Sequence, residues 1–234
     1  MTPTLLLKNA LVIATMDDEQ REIANGSVFI RGNRVEAVGP ASELPATADK
    51  VIDMTGHVLI PGLINTHHHM FQSLTRALPA AQDAELFDWL TALFPVWQNI
   101  TPAMQRAATR TAMAELMLSG CTTAADHAYL YVNGTRLDDS VQAAQEMGMR
   151  FHAVRGAMSL GQSKGGLPPD ALVEQDEEAI LKEMQRVVEE LHEATPDAMI
   201  KVALGPCSPF TVTTDLMREG AALARSYGVG LHTH

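Results

Sequence analysis

"PGLINTHHHMFQSLTR", residues 61–76, is the stretch on which the fold reading turns. An apolar, strand-like run ends in three consecutive histidines and then passes into a helix-like segment. Imidazoles at a strand's C-terminal end are a poor packing choice, so their placement asks for a chemical reason. The end of the chain repeats the pattern: "VGLHTH", residues 229–234, carries a second His-x-His on a strand-like run.

Between these two ends the chain alternates. "VLIPGLINT", "CTTAADHAYL", "RFHAVRGAMSL", "MIKVALGPCSPF" and "VGLHTH" read as strands. Helical segments fall over 85–119, "LDDSVQAAQEMG", "DEEAILKEMQRVVEELHEA" and "TTDLMREGAALARSYG". Thr101-Pro102 supplies an N-cap and a first helical residue, and Gly148 and Gly228 supply helix stops. Strands alternating with helices call for a parallel sheet with crossover helices. Polar residues recur at the strand C-termini: His67 and His69, Asp126 and His127, Arg155, Cys207 and Ser208, His234. That convergence is how a (β/α)8 barrel builds its active site, and a whole barrel takes about 250 residues. The expected fold class is therefore α/β, a partial TIM-type barrel with about five of eight βα units over residues 61–234. "GQSKGGLPPD", 161–170, is expected to be a mobile lid.

Residues 4–60 read differently, as short strands rich in Val and Ile with turn punctuation. In "SVFIRGNRVEAVG" two alternating runs flank Gly32-Asn33, a hairpin signal.

Composition narrows the function classes. The 234 residues are 46% hydrophobic and 19% charged, enough for a substantial core and unlike a disordered chain. Net charge is −11, which argues against a nucleic-acid partner, because phosphate binding needs clustered Lys and Arg. No window approaches the roughly 18 apolar residues of a membrane span, and the opening residues show no basic leader before a signal-like apolar run. Cys121 and Cys207 both lie in apolar strand-like segments and read as reduced, buried thiols in a cytoplasmic setting. Thirteen methionines read mostly as core filling.

His67 and His69, two apart on a strand, would share one face while His68 points away. Two imidazoles on one strand end can reach a common ion at about 2.0–2.1 Å each. His232 and His234 offer the same geometry on a later strand. His57, His152 and His192 read as a turn residue, a mid-strand residue and an exposed helix end, and His127 is open between packing and ligation. Trp89 and Trp97 read as core or interface.

"PGLINTHHHM" after a small N-terminal sheet, followed by a βα series to "LHTH", resembles the amidohydrolase superfamily in its deaminase branch. The resemblance implies that residues 1–60 are part of a small N-terminal β-sandwich and residues 61–234 the first part of a metal-dependent hydrolase barrel. It implies metal ligands at His67, His69 and His234, with the catalytic Glu three residues after His234 and the sixth-strand His and eighth-strand Asp later still, all beyond this chain. Two-metal relatives use a lysine near the end of strand four. Lys201 stands at that strand's beginning, so one divalent ion is expected, zinc before iron.

Gln72, three residues after His69, matches the spacing of a purine contact in guanine deaminases, whereas Pro209-Phe210 departs from their Arg-Phe. "HHHMFQSLTRALPAAQDAELFDWLTALFPVW", "MAELMLSGCTTAADH", "MRFHAVRGAMSLGQSKGGLPPD" and "PCSPF" together are similar to the 8-oxoguanine deaminases. That similarity implies a small heterocyclic substrate, hydrolysis of 8-oxoguanine to urate and ammonia, and Gln72, Arg155, Cys207 and Phe210 around the purine. It also implies a homo-oligomer at full length, while charge and the lack of a long apolar window give the expectation of no nucleic-acid or membrane partner. A hydroxytriazine aminohydrolase is the nearest alternative. A third reading is a catalytically incomplete fragment, or a metal-binding interaction module, that is inactive and insoluble or molten on its own.

Overall fold

The βα alternation resolves, in a computed structural model describing residues 2–234, into a five-stranded parallel sheet with helices between its strands. Contacts divide the chain after Gly62, giving units Met1–Gly62 and Leu63–His234, against an expected boundary after residue 60.

In the first unit, β1 (Thr4–Ala14), β2 (Glu22–Arg31), β3 (Arg34–Pro40), β4 (Lys50–Asp53) and β5 (Val58–Leu59) form one sheet. β1 pairs antiparallel with β2 and parallel with β4 and β5. The β2–β3 hairpin turns at Gly32-Asn33, with Gly32 at φ +61°, a conformation that glycine adopts without steric cost. Ala10, Ile13 and Val28 are its buried core. The five strands make a single layer; among the described residues of this unit there is no second sheet of the kind a sandwich requires.

The second unit runs β6 (Leu63–Asn65), α1 (Leu86–Trp97), α2 (Pro102–Leu118), β7 (Cys121–Ala128), α3 (Leu137–Met147), β8 (Arg150–Ala157), α4 (Glu177–Leu191), β9 (Ile200–Pro206), α5 (Thr214–Tyr227) and β10 (Gly230–Leu231). Strand order is β10-β9-β8-β7-β6, all pairs parallel, a half-barrel sheet. The strand expected over "VLIPGLINT" is broken in two. Pro61 has no N–H to give a ladder, and β5 ends before it while β6 starts after Gly62.

The helix boundaries follow local chemistry. The Thr101 hydroxyl accepts from Met104 N, with Pro102 at the first helical position. Gly148 and Gly228 take left-handed conformations after α3 and α5. One face of the sheet packs on the helices: Phe151, Val202 and Leu204 meet Ile180, Met184 and Leu216 in one buried cluster. A second cluster of Phe71, Leu93, Trp97, Tyr129 and Cys207 lies under the segments that follow β6. Trp97 is fully buried and donates Nε1–H to Thr75 Oγ1 at 3.0 Å, so it is core as expected.

The 161–170 loop is held by its own hydrogen bonds. The Asp170 carboxylate accepts from Ser163 N at 3.2 Å and Ser163 Oγ at 2.9 Å, and Gly166 N donates to Gly161 O at 2.9 Å. These bonds close the loop on itself.

Candidate metal centre

β6 stops at Asn65, so His67, His68 and His69 occupy an irregular segment rather than a strand. Strict alternation therefore fails for this run. His68 does not turn away; it lines the same cleft as His67, His69 and Gln72. The cleft is about 480 Å³ and also takes in Trp89, which sequence reasoning had left as core or interface, and Glu115.

His67, His69 and His234 each offer a ring nitrogen within 4.8 Å of the others. Their ring centroids stand 5.1 Å (67–69), 5.1 Å (67–234) and 4.8 Å (69–234) apart. Backbone bonds fix the arms that carry them. His232 N donates to Leu204 O and His234 N to Cys207 O, each at 2.8 Å, which extends β10 beyond its last assigned residue. On the other side, Met70 N donates to Asp126 Oδ1 at 2.7 Å and His127 N to His68 O at 2.9 Å.

Two features of the triad suit a cation. The His69 Nδ1 lies 2.8 Å from the His127 carbonyl, which can only accept, so His69 carries its proton on Nδ1 and leaves Nε2 as a lone-pair donor. Burial also lowers the pKa of His69, to about 4, and that of His234. At pH 7 these rings are neutral, the form a metal takes. The donor set fits a divalent ion.

His127, undecided from sequence, is 1% exposed at the end of β7, and its Nδ1 lies 2.6 Å from His232 Nδ1. His127, His232 and His234 also meet within 4.8 Å. Burial, then the neighbouring His232, lowers the His127 pKa to about 2. Asp126 is fully buried, its Oδ2 has no hydrogen-bond partner, and burial raises its pKa to about 7. It pins the backbone after His69 rather than facing the cleft.

The expected substrate contacts separate. Gln72 lines the cleft and donates Nε2–H to the Tyr129 hydroxyl at 3.0 Å. Tyr129 is buried and its ring packs edge-on to His69 at 5.1 Å; nothing in the sequence reading had singled it out. Cys207 is buried beside this group, and burial raises its thiol pKa to about 11. Phe210 is half-exposed, 6.1 Å from the Phe87 ring.

Arg155 is a correction. It shares a face of β8 with Ala153 and Ala157, which pack against the helices. Its guanidinium, 1% exposed, pairs with Glu174 at 2.7 Å and stacks on Tyr131 at 3.8 Å. It does not line the histidine cleft, so the structure gives Arg155 a structural role on the helix side instead of a purine contact.

Of the three histidines left to packing, His57 is an exposed turn residue donating to Thr55 O. His152 is half-buried on β8, and His192 accepts from Val202 N at 3.0 Å instead of standing free at a helix end. Lys201 sits at the start of β9, away from the strand's C-terminal end. No helix among the described residues is long and apolar enough to cross a membrane.

Known proteins resemble this chain in sequence and in fold. The model of the amidohydrolase family matches residues 58–234. The chain is 44% identical over 230 residues to an 8-oxoguanine deaminase of Pseudomonas aeruginosa, covering 97% of this chain and 51% of that protein. It is 36% identical over 228 residues to a hydroxydechloroatrazine ethylaminohydrolase of Pseudomonas sp. strain ADP, covering 91% and 47%. An atrazine chlorohydrolase from Arthrobacter aurescens TC1, complexed with zinc, superposes with a TM-score of 0.91 at 30% identity, covering 98% of this chain and 52% of that one. The chain spans about half the length of the curated relatives it matches.

Proposed function

Since this chain belongs to the amidohydrolase family, we propose that the protein carrying it is a metal-dependent hydrolytic deaminase of an oxidised purine. The reaction is 8-oxoguanine plus water giving urate plus ammonia. The observation that carries the reading is the meeting of His67, His69 and His234 at one end of the parallel sheet, beside a cleft that Gln72 lines.

His67, His69 and His234 would hold one divalent ion. Zinc is the choice, since imidazole donors suit it and the superposed triazine enzyme carries it; iron has similar ligand tastes. Such a cation, when bound, supplies Lewis acidity that brings the ionisation of water to about pH 7. The chain's own residues do the rest of what it contributes. With its Nε2–H given to Tyr129, Gln72 keeps Oε1 free to accept an N–H from the edge of a lactam ring. Cys207 stays a neutral thiol at pH 7 and acts as a wall with a weak donor, not as a nucleophile. Phe210, its ring 6.1 Å from that of Phe87, would give a flat heterocycle an apolar face. The Glu, His and Asp that move protons are expected after residue 234, so the proposal concerns the whole protein and not residues 1–234 alone.

The same reading includes a homo-oligomer, a cytoplasmic setting consistent with the two buried thiols, and a second layer over the N-terminal sheet that would complete a sandwich. The similarity to a hydroxydechloroatrazine aminohydrolase keeps a hydroxytriazine as the second substrate class. Purified full-length protein given 8-oxoguanine, guanine and hydroxyatrazine in separate assays decides between them. The expected result is that kcat/KM for 8-oxoguanine exceeds the others by about 100-fold or more. Faster release of amine from the triazine overturns the purine assignment.

A further inference from the structure

We infer that His127 is the positioning residue that locks the two arms of the metal centre together, an inference that rests on the metal reading of His67, His69 and His234. It touches both arms at once. Its carbonyl oxygen takes the Nδ1–H of His69 at 2.8 Å and so aims that ring. Its own ring joins the other arm through the 2.6 Å contact between His127 Nδ1 and His232 Nδ1. His232 is two residues before His234 on the extended segment bonded to Leu204 O and Cys207 O, so fixing His232 fixes the third ligand's backbone.

The neighbouring strands are built to admit this ring. A Cβ on Gly156 would meet the Ala128 carbonyl oxygen first and then His127 Cδ2 at 2.7 Å and Nε2 at 2.8 Å; a Cβ on Gly205 would meet Val154 Cγ1 at 2.7 Å and then His127 Cε1 at 3.0 Å and Nε2 at 3.1 Å. Both glycines leave space on the face of β8 and β9 that the ring fills, opposite the helix-facing residues Ala153 and Leu204.

A rival assignment would make His127, His232 and His234 a second cation site. Two nitrogens each about 2.0–2.1 Å from one tetrahedral zinc stand roughly 3.3 Å apart. The observed 2.6 Å between His127 Nδ1 and His232 Nδ1 is a hydrogen-bond distance, so those two nitrogens do not share one ion; His127 Nε2, buried without a partner, is the ring's remaining lone-pair candidate. The contacts of His127 with the two arms run to His69 and His232, so the positioning role is the one assigned, and the ion count per chain decides against the rival.

The test measures zinc stoichiometry and affinity by chelator competition, and the visible spectrum of the cobalt-substituted form, in the full-length protein and its variants. H127A keeps the carbonyl for His69 but loses the ring; H127N puts an amide near the Nδ1 position and can still hold His232. Expected are one ion per chain, a 10–100-fold weaker affinity with an altered cobalt spectrum in H127A, and near wild-type behaviour in H127N. G205A, whose Cβ presses on Val154 Cγ1 and on the His127 ring, should weaken affinity in the wild-type background and weaken it less in H127A, where only the Val154 contact remains. Should H127A fail to fold, H127N and G205A carry the comparison. Wild-type affinity and spectrum in H127A overturn the positioning role while the metal reading stands. Two ions per chain, falling to one in H127A, overturn it by making His127 a ligand. A wild-type protein that takes up no ion overturns the metal reading and this inference with it.

Discussion

H69A in the full-length protein is expected to lose its bound zinc and at least about 10³-fold in deaminase kcat/KM. Of the three proposed ligands, His69 is the one whose ring is most tightly specified. Its Nδ1–H is given to His127 O, its pKa is lowered to about 4, and Tyr129 packs edge-on at 5.1 Å. Alanine leaves two imidazoles, short of the three protein ligands that a catalytic zinc site normally keeps. His69 lies outside the buried apolar clusters, so the fold should persist. Zinc content by atomic absorption, with far-UV circular dichroism as the folding control, separates loss of the ion from loss of structure. Stoichiometric zinc together with more than a tenth of the activity would remove His69 from the ligand set.

The second large effect falls on stability. E174A leaves the Arg155 guanidinium, 1% exposed, without its carboxylate, and breaking a buried pair by removing one partner costs about 3–5 kcal/mol. Glu174 is 29% exposed, so water can reach the gap and the lower end of that range is expected. R155M removes charge and keeps length; replacing a buried ion by an apolar side chain is often close to neutral, although the 3.8 Å stacking on Tyr131 is lost. Denaturant midpoints should therefore fall steeply for E174A and little for R155M. The kcat/KM of R155M for 8-oxoguanine should stay within about threefold of wild type, because the side chain lies on the helix face of the sheet. A fall of 100-fold with unchanged stability would return Arg155 to the substrate site.

Arg155 also shows where sequence reasoning ran out. In a parallel sheet covered on one face by helices and filled on the other by lumen residues, both faces are apolar. "RFHAVRGA" therefore carries no parity signal, and the charge at Arg155 looked as fit for the lumen as for the helix layer. The helices were readable because their ends carry local chemistry: Thr101-Pro102, Gly148 and Gly228 all cap where expected. The two His-x-His pairs were readable because imidazole pairs at two strand ends of one βα alternation lack a packing explanation. What the pairs do together was not. His127 meets His232 across the curve of the sheet, with β8 and β9 lying between their strands, and that contact depends on register and coiling that no single segment encodes. The same holds for Tyr129 under Gln72. His68 misled for a simpler reason: the two-residue period was applied to a segment where the strand had already ended at Asn65.

Anomalous diffraction at the zinc edge, on crystals of the full-length zinc-loaded protein, tests the shared cation of residues 67, 69 and 234 most directly. One peak per chain is expected, about 2.0–2.1 Å from a ring nitrogen of each of His67, His69 and His234. A peak bound instead by His127 and His232, or one that leaves any of the three rings out of reach, would contradict the account.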